Sequence, residues 1–287
     1  LYTPRPLIAP QRDAGALLPR AEDVPDQADL GRNGCYLVMR QLRQDVQGFW
    51  RELDRRAEGD VDLRERLAAA MVGRKKNGEL LEAPSEESVA GGTSTPQSKL
   101  NTFTYQADPQ GLRCPLGAHI RRSNPRNADL PPGAPGILSR LRRMLGFNAA
   151  ALEQDLIAST RFHRLLRRGR KYGAGVAPAL SAEGSSPSAD TGLYFICLVA
   201  NITRQFEFVQ SAWLVGSKFA GLTGESDPLL GHRLPDPGDS PTDGFSIPQA
   251  DGPDRRLSGL PQFVTVLGGA YFFLPGIRAL RYLATAR

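Results

Sequence analysis

"GLYFICLVANITRQFEFVQSAWLV" (192–215) decides how this chain folds. Its first half, 192–201, is dense in aromatic and β-branched residues and long enough for a central strand. The second half changes period. Phe206, Val209 and Trp213 fall on one helical face, with Asn201 or Thr203 placed to cap its start.

Working outward, the same alternation of strand and helix recurs. "GCYLVMRQL" (34–42) reads as a strand after a turn at Asn33–Gly34. "RQDVQGFWRELDRRA" (43–57) then spaces Val46, Phe49, Trp50 and Leu53 as an amphipathic helix. "DLRERLAAAMVG" (62–73) is a second helix, stopped by Gly73. "FHRLLRRG" (162–169) reads as a basic strand. "FVTVLGGAYFFLP" (263–275) is a last strand whose Gly268–Gly269 pair suggests a bulge or a close ligand approach. The order predicts an α+β fold of ferredoxin-like, split βαβ type: an antiparallel sheet with helices on one face. The opposite face is expected to be free to hold something large and flat. Small, polar, Gly/Pro/Ser-rich stretches at about 83–100, 173–190 and 232–258 are expected as loop insertions that contribute no core.

The 287 residues are 40% hydrophobic and 23% charged, a composition that buries a real core. No apolar run reaches the ~18 residues of a membrane span, so no membrane partner is expected. The net charge of +6 raises nucleic acid as a partner. The charges are interspersed, however, and the dense basic stretch 161–173 lacks stacking aromatics, so none is expected. Three widely spaced cysteines (Cys35, Cys114, Cys197) fit neither a disulfide framework nor a zinc site. They favour a cytoplasmic location, unless a leader has been lost ahead of Leu1.

Histidine is scarce: His119, His163 and His232. "CPLGAHIRRSNPR" (114–126) sets His119 between an apolar approach and Arg121, Arg122 and Arg126. Like charge discourages protonation, and a neutral imidazole keeps a lone pair for a metal. No spacing supports a multi-ligand zinc cage. A haem asks only for one axial histidine, with basic groups for its propionates. A core histidine bonded to backbone is the competing reading at this point.

Five blocks then carry a resemblance: "NGCYLVMRQLRQDVQGFW", "YQADPQGLRCPLGAHIRRSNPR", "LRRGRKYG", "GLYFICLVANITRQFEFVQSAW" and "FVTVLGGAYFFLPG". Together they resemble the dye-decolorising peroxidases along almost the whole chain. The resemblance implies haem b, hydrogen peroxide as oxidant, organic electron donors, and a fold of two ferredoxin-like halves. It implies His119 as the iron ligand, Arg167 as the distal arginine, and Leu193 and Phe195 as the shield of the distal pocket. Asp227 in "ESDPLLGH" would orient the proximal imidazole. Arg121, and less directly Arg126, would meet the propionates.

One family element is missing. The distal aspartate belongs to a GxxDG motif upstream of "NGCYLV", and this sequence contains no GxxDG. The expectation is therefore the C-terminal half of such a peroxidase: 1–30 an extended lead-in from an absent first half, and 31–287 the haem-binding domain. A second polypeptide would bring the aspartate. A haem-binding module for storage, sensing or iron handling is the alternative.

Overall fold

The computed structural model describes residues 7–8, 17–24, 26–81, 103–126, 160–173, 191–233 and 241–285. The expected insertion at 83–100, and 173–190 apart from Gly173, lie outside them.

Four strands form the central sheet: β3 (Cys35–Gln44), β4 (Leu166–Tyr172), β5 (Gly192–Val199) and β8 (Val264–Leu274). They are antiparallel in the order β4-β5-β3-β8, which places the first core strand beside the third and the last. This is the ferredoxin-like order the sequence predicts. Register is fixed by alternation, because a one-residue slip would turn every apolar residue to the wrong face. Val38 lies opposite Cys197, Arg40 opposite Phe195 and Leu42 opposite Leu193. The pairing of β3 with β8 shifts register between Gln41 and Leu42, across from Gly268 and Val266. The glycine pair does mark a bulge. Gly269 also makes room for a side chain: a Cβ there would stand 2.7 Å from the Arg40 Cδ.

Helix α1 (Val46–Arg56) starts where the Asp45 carboxylate accepts from the Gly48 N–H. Helix α2 (Val61–Val72) is capped the same way by Asp60 and ends at Gly73, whose φ of 91° suits glycine alone. Both pack Leu53, Leu67 and Met71 against Leu42 of the sheet. A one-turn helix α3 (His119–Ser123) follows. Helix α4 leaves β5 with Asn201 as its cap, as expected, but winds as a π-helix over Ile202–Glu207 and again over Val209–Val215. The Phe208 N–H reaches the Thr203 carbonyl, five residues back. This wider turn is a common device beside functional cavities.

The sequence misjudges 232–258. Within it, β6 (Phe245–Ile247) and β7 (Arg255–Leu257) pair as a hairpin, and Phe245 and Leu257 are buried with Leu260 in the main core. Isolated apolar residues in a Pro- and Gly-rich stretch are enough to anchor the hairpin. At the N-terminus, β1 (Leu7–Ile8) pairs with β2 (Ala28–Asp29), and Leu18 and Ala28 pack on Ala279 of the last helix, α5 (Ile277–Thr285). No described helix is long and apolar enough to cross a membrane.

Candidate functional site

A cavity of about 290 Å³ opens between the sheet and α4, not on the bare face of the sheet. The expectation of a ligand on that bare face is thus corrected. α1 and α2 pack near Leu42 and α4 covers Val38 and Cys197, while the cavity lies between the sheet, α3, α4 and the turn at Leu229–Leu230. Leu42, Leu193 and Phe195 form the sheet wall, and Val209, Trp213 and Leu214 the α4 wall. Leu193 and Phe195 share a strand face because side chains two apart point the same way.

His119 enters from α3. Its Nδ1 stands 2.9 Å from Asp227 Oδ2, and Asp227 is completely buried. The other carboxylate oxygen accepts from the Leu229 and Leu230 backbone N–H groups at 2.9 and 2.8 Å. Burial pushes this carboxyl up, but the neighbouring imidazole, the Leu230 N–H and the Arg122 charge outweigh it and hold it below its ordinary range. An acceptor-only carboxylate makes Nδ1 the donor. The neutral ring then carries its lone pair on Nε2.

The arginines of "HIRRSNPR" do something other than the sequence suggests. Arg121 is buried away from the cavity, donating to Asp108 Oδ2 at 3.2 Å and to the Cys114 and Asp108 carbonyls. Arg126 stacks 3.9 Å from the Phe103 ring centre and donates to the Phe103 carbonyl. Neither lines the cavity. A buried guanidinium goes where carbonyls and carboxylates satisfy it, and the 103–114 segment supplies them. The electrostatic neighbour of His119 is therefore the Asp227 carboxylate, the reverse of the arginine setting read from sequence.

The cations that do line the cavity are Arg40, Arg164 and Arg167. Arg167 lies on β4 opposite Cys197, and its guanidinium has no hydrogen-bond partner among the described residues. Arg164 and Arg40 were missed in the sequence. Alternation in "YLVMRQL" places Arg40 between Val38 and Leu42 on the inner face, a signal that was available. His163 was missed too. It lines the cavity with its ring stacked 3.8 Å from Phe208 and its Nδ1 on the Arg204 carbonyl. Among the described residues no group of three or more His, Cys, Asp or Glu gathers as a metal cage. No carboxylate is among the cavity-lining residues described.

No protein-family model matches the chain. The multifunctional dye peroxidase DyP2 of Amycolatopsis is 33% identical over 272 residues, covering 87% of this chain and 49% of that protein. This chain belongs to the dye-decolorising peroxidase family. A dye-decolorising peroxidase of Auricularia auricula-judae is 30% identical over 294 residues, which cover 93% of this chain and 50% of the relative. The solved structure of an Anabaena DyP-type peroxidase superposes with a TM-score of 0.61 at 25% identity, over 87% of this chain and 46% of that one. The chain thus spans about half the length of the dye-decolorising peroxidases it matches.

Proposed function

We propose that this chain is the haem-holding part of a peroxidase that reduces hydrogen peroxide and oxidises bulky organic donors such as dyes and phenols. The observation that carries the reading is the His119–Asp227 pair at a largely apolar cavity that Arg167 also lines. Iron protoporphyrin IX (haem b), when bound, supplies the iron at which the oxygen–oxygen bond of peroxide is cleaved.

The residues fit that group. The Nε2 of His119 has the free lone pair an iron ligand would need, and Asp227 raises its basicity by accepting a hydrogen bond from Nδ1–H. Leu42, Leu193, Phe195, Leu229 and Leu230 supply the apolar lining a porphyrin requires. Arg164, with Ser123 and Asn124, lines the cavity and takes the acid groups, the role first assigned to Arg121 and Arg126. Arg167 donates to peroxide and stabilises the negative charge that develops as its bond breaks. It is permanently protonated, so it cannot move the proton from one oxygen to the other.

That proton calls for a carboxylate that the described lining lacks. We assign it to a second ferredoxin-like half carrying GxxDG, on another polypeptide. The outer face of the sheet supports this. Leu166, Leu198, Leu37 and Phe272 form one row across all four strands, with Leu166 72% and Phe272 46% exposed. A sheet leaves such a row bare only where another layer covers it.

The test is to purify the native protein and search for a co-eluting polypeptide containing GxxDG. His119→Ala should abolish the Soret band, and a normal band would remove the ligand assignment. Arg167→Leu should retain haem and slow the peroxide reaction by ~10²–10³. The alternative is a haem-binding module without turnover. Native protein that carries haem, co-elutes with no such polypeptide and consumes no peroxide even at acid pH would favour it.

A further inference from the structure

Arg122 is the largest fully buried side chain in the described structure, and no role in the site has yet been given to it. It lies one helical turn after His119 on a helix of only five residues, whose N-cap Ala118 offers no side-chain bond. A helix that short cannot hold its own direction. Its orientation must come from what its side chains grip.

The Arg122 guanidinium grips backbone carbonyls. Nε donates to the Trp213 carbonyl at 3.2 Å, and Nη2 to the Gly216 and Glu225 carbonyls, each at 2.9 Å. Trp213 and Gly216 belong to the end of α4, where the last carbonyls of a helix lack intrahelical partners. Glu225 stands two residues before Asp227, and the Asp227 N–H is itself bonded to the Leu214 carbonyl at 2.7 Å. One rigid fork therefore joins the helix carrying His119, the helix walling the cavity, and the loop carrying Asp227. No carboxylate lies within ion-pair distance of it among the described residues. Its charge is balanced from farther off by Asp227 and Glu225. An apolar side chain would fill the same space without the cost of burying a cation. What it could not do is fix three separate segments in one plane.

We propose that Arg122 is a positioning residue that sets the distance and angle between the His119 Nδ1–H and the Asp227 carboxylate, and through them the donor strength of His119 Nε2. The inference rests on reading His119 as the axial ligand and deepens that reading. Arg122 does not itself line the cavity, so it reaches the site only through the segments it grips, of which α3 and the Asp227 loop carry the His119–Asp227 pair.

The test uses the haem-loaded full chain and reads the ferrous iron–histidine stretch by resonance Raman, together with the iron midpoint potential. Arg122→Met should lower the stretch and raise the potential most of the way to the values of Asp227→Asn. The double variant should go no further than Asp227→Asn alone. Arg122→Lys should fall between, because one ammonium cannot reach three carbonyls in a plane, and it serves if Arg122→Met does not fold. Arg121→Met is the structural control: also buried on the same helix but bound to 108–114, it should lower the melting temperature and leave the stretch in place. The proposal is overturned if neither Arg122 variant moves the stretch, if its shift adds fully to that of Asp227→Asn, or if Arg121→Met moves it equally. His119→Ala is run beside them. A histidine-ligated spectrum surviving in that variant would overturn the ligand reading itself, and the role of Arg122 with it.

Discussion

Asp227→Asn changes one atom of the carboxylate and poses a dilemma. The native group accepts three hydrogen bonds, from His119 Nδ1 and from the Leu229 and Leu230 N–H groups, and donates none. An asparagine side chain has one acceptor oxygen and one NH2. If its oxygen stays with the two backbone N–H groups, the NH2 faces Nδ1 and the imidazole must switch tautomer. Nε2 is then protonated in the free chain, and a metal binds there only at the cost of moving that proton back to Nδ1 against the amide NH2. If the amide flips instead, the NH2 meets two buried N–H donors that lose their partner, at about 1–3 kcal/mol each. The cheaper outcome is the tautomer switch. Loss of a carboxylate behind a ligating histidine typically costs about 10–100-fold in affinity, or roughly 1.4–2.7 kcal/mol. A haem titration followed at the Soret band, with competition from an apo-haem protein for tight binding, measures it directly. The folded state should survive, because no atom is removed from the buried site. Haem affinity within a factor of two of the unmodified chain, with an unchanged iron–histidine stretch, would refute the argument.

Further expectations follow from packing and chemistry. Phe245→Ala should cost about 3–5 kcal/mol in denaturant unfolding, because a ring with no exposed surface is removed from the main core; a cost under ~1 kcal/mol would mean that the hairpin is peripheral. The same change should weaken haem binding, since the Phe245 ring lies 3.3 Å from where a Cβ on Gly117 would stand, two residues before His119. Gly73→Ala should destabilise by at least about 1 kcal/mol, as φ is +91° and the new Cβ would sit 2.4 Å from Ile120 Cγ1, next to His119; equal melting temperatures would contradict it. Burial pushes the Cys197 thiol up to about 11. At pH 8 only about one thiol in a thousand is then ionised, and labelling should rise tenfold per pH unit up to that value. Mass spectrometry after brief alkylation should find half-buried Cys35 modified first and Cys197 intact.

The strands and their order follow from local signals. The β-rich run at 192–199 and the turn at Asn33–Gly34 need only neighbouring residues to be read, and the split βαβ sequence of elements leaves few topologies. His119 and Asp227 were legible through resemblance, but their bond spans 108 positions and is a product of folding. Which arginine faces which group was not legible at all. "HIRR" offers identical chemistry at 121 and 122, and only the tertiary surroundings send one to Asp108 and the other to the end of α4. A buried guanidinium is steered by wherever unsatisfied carbonyls happen to converge, and that convergence belongs to the assembled chain. The cavity has the same origin. Alternation in the sequence puts Leu193 and Phe195 on one face of their strand, while the space between that face, α3 and α4 that makes it a site exists only once those helices have packed.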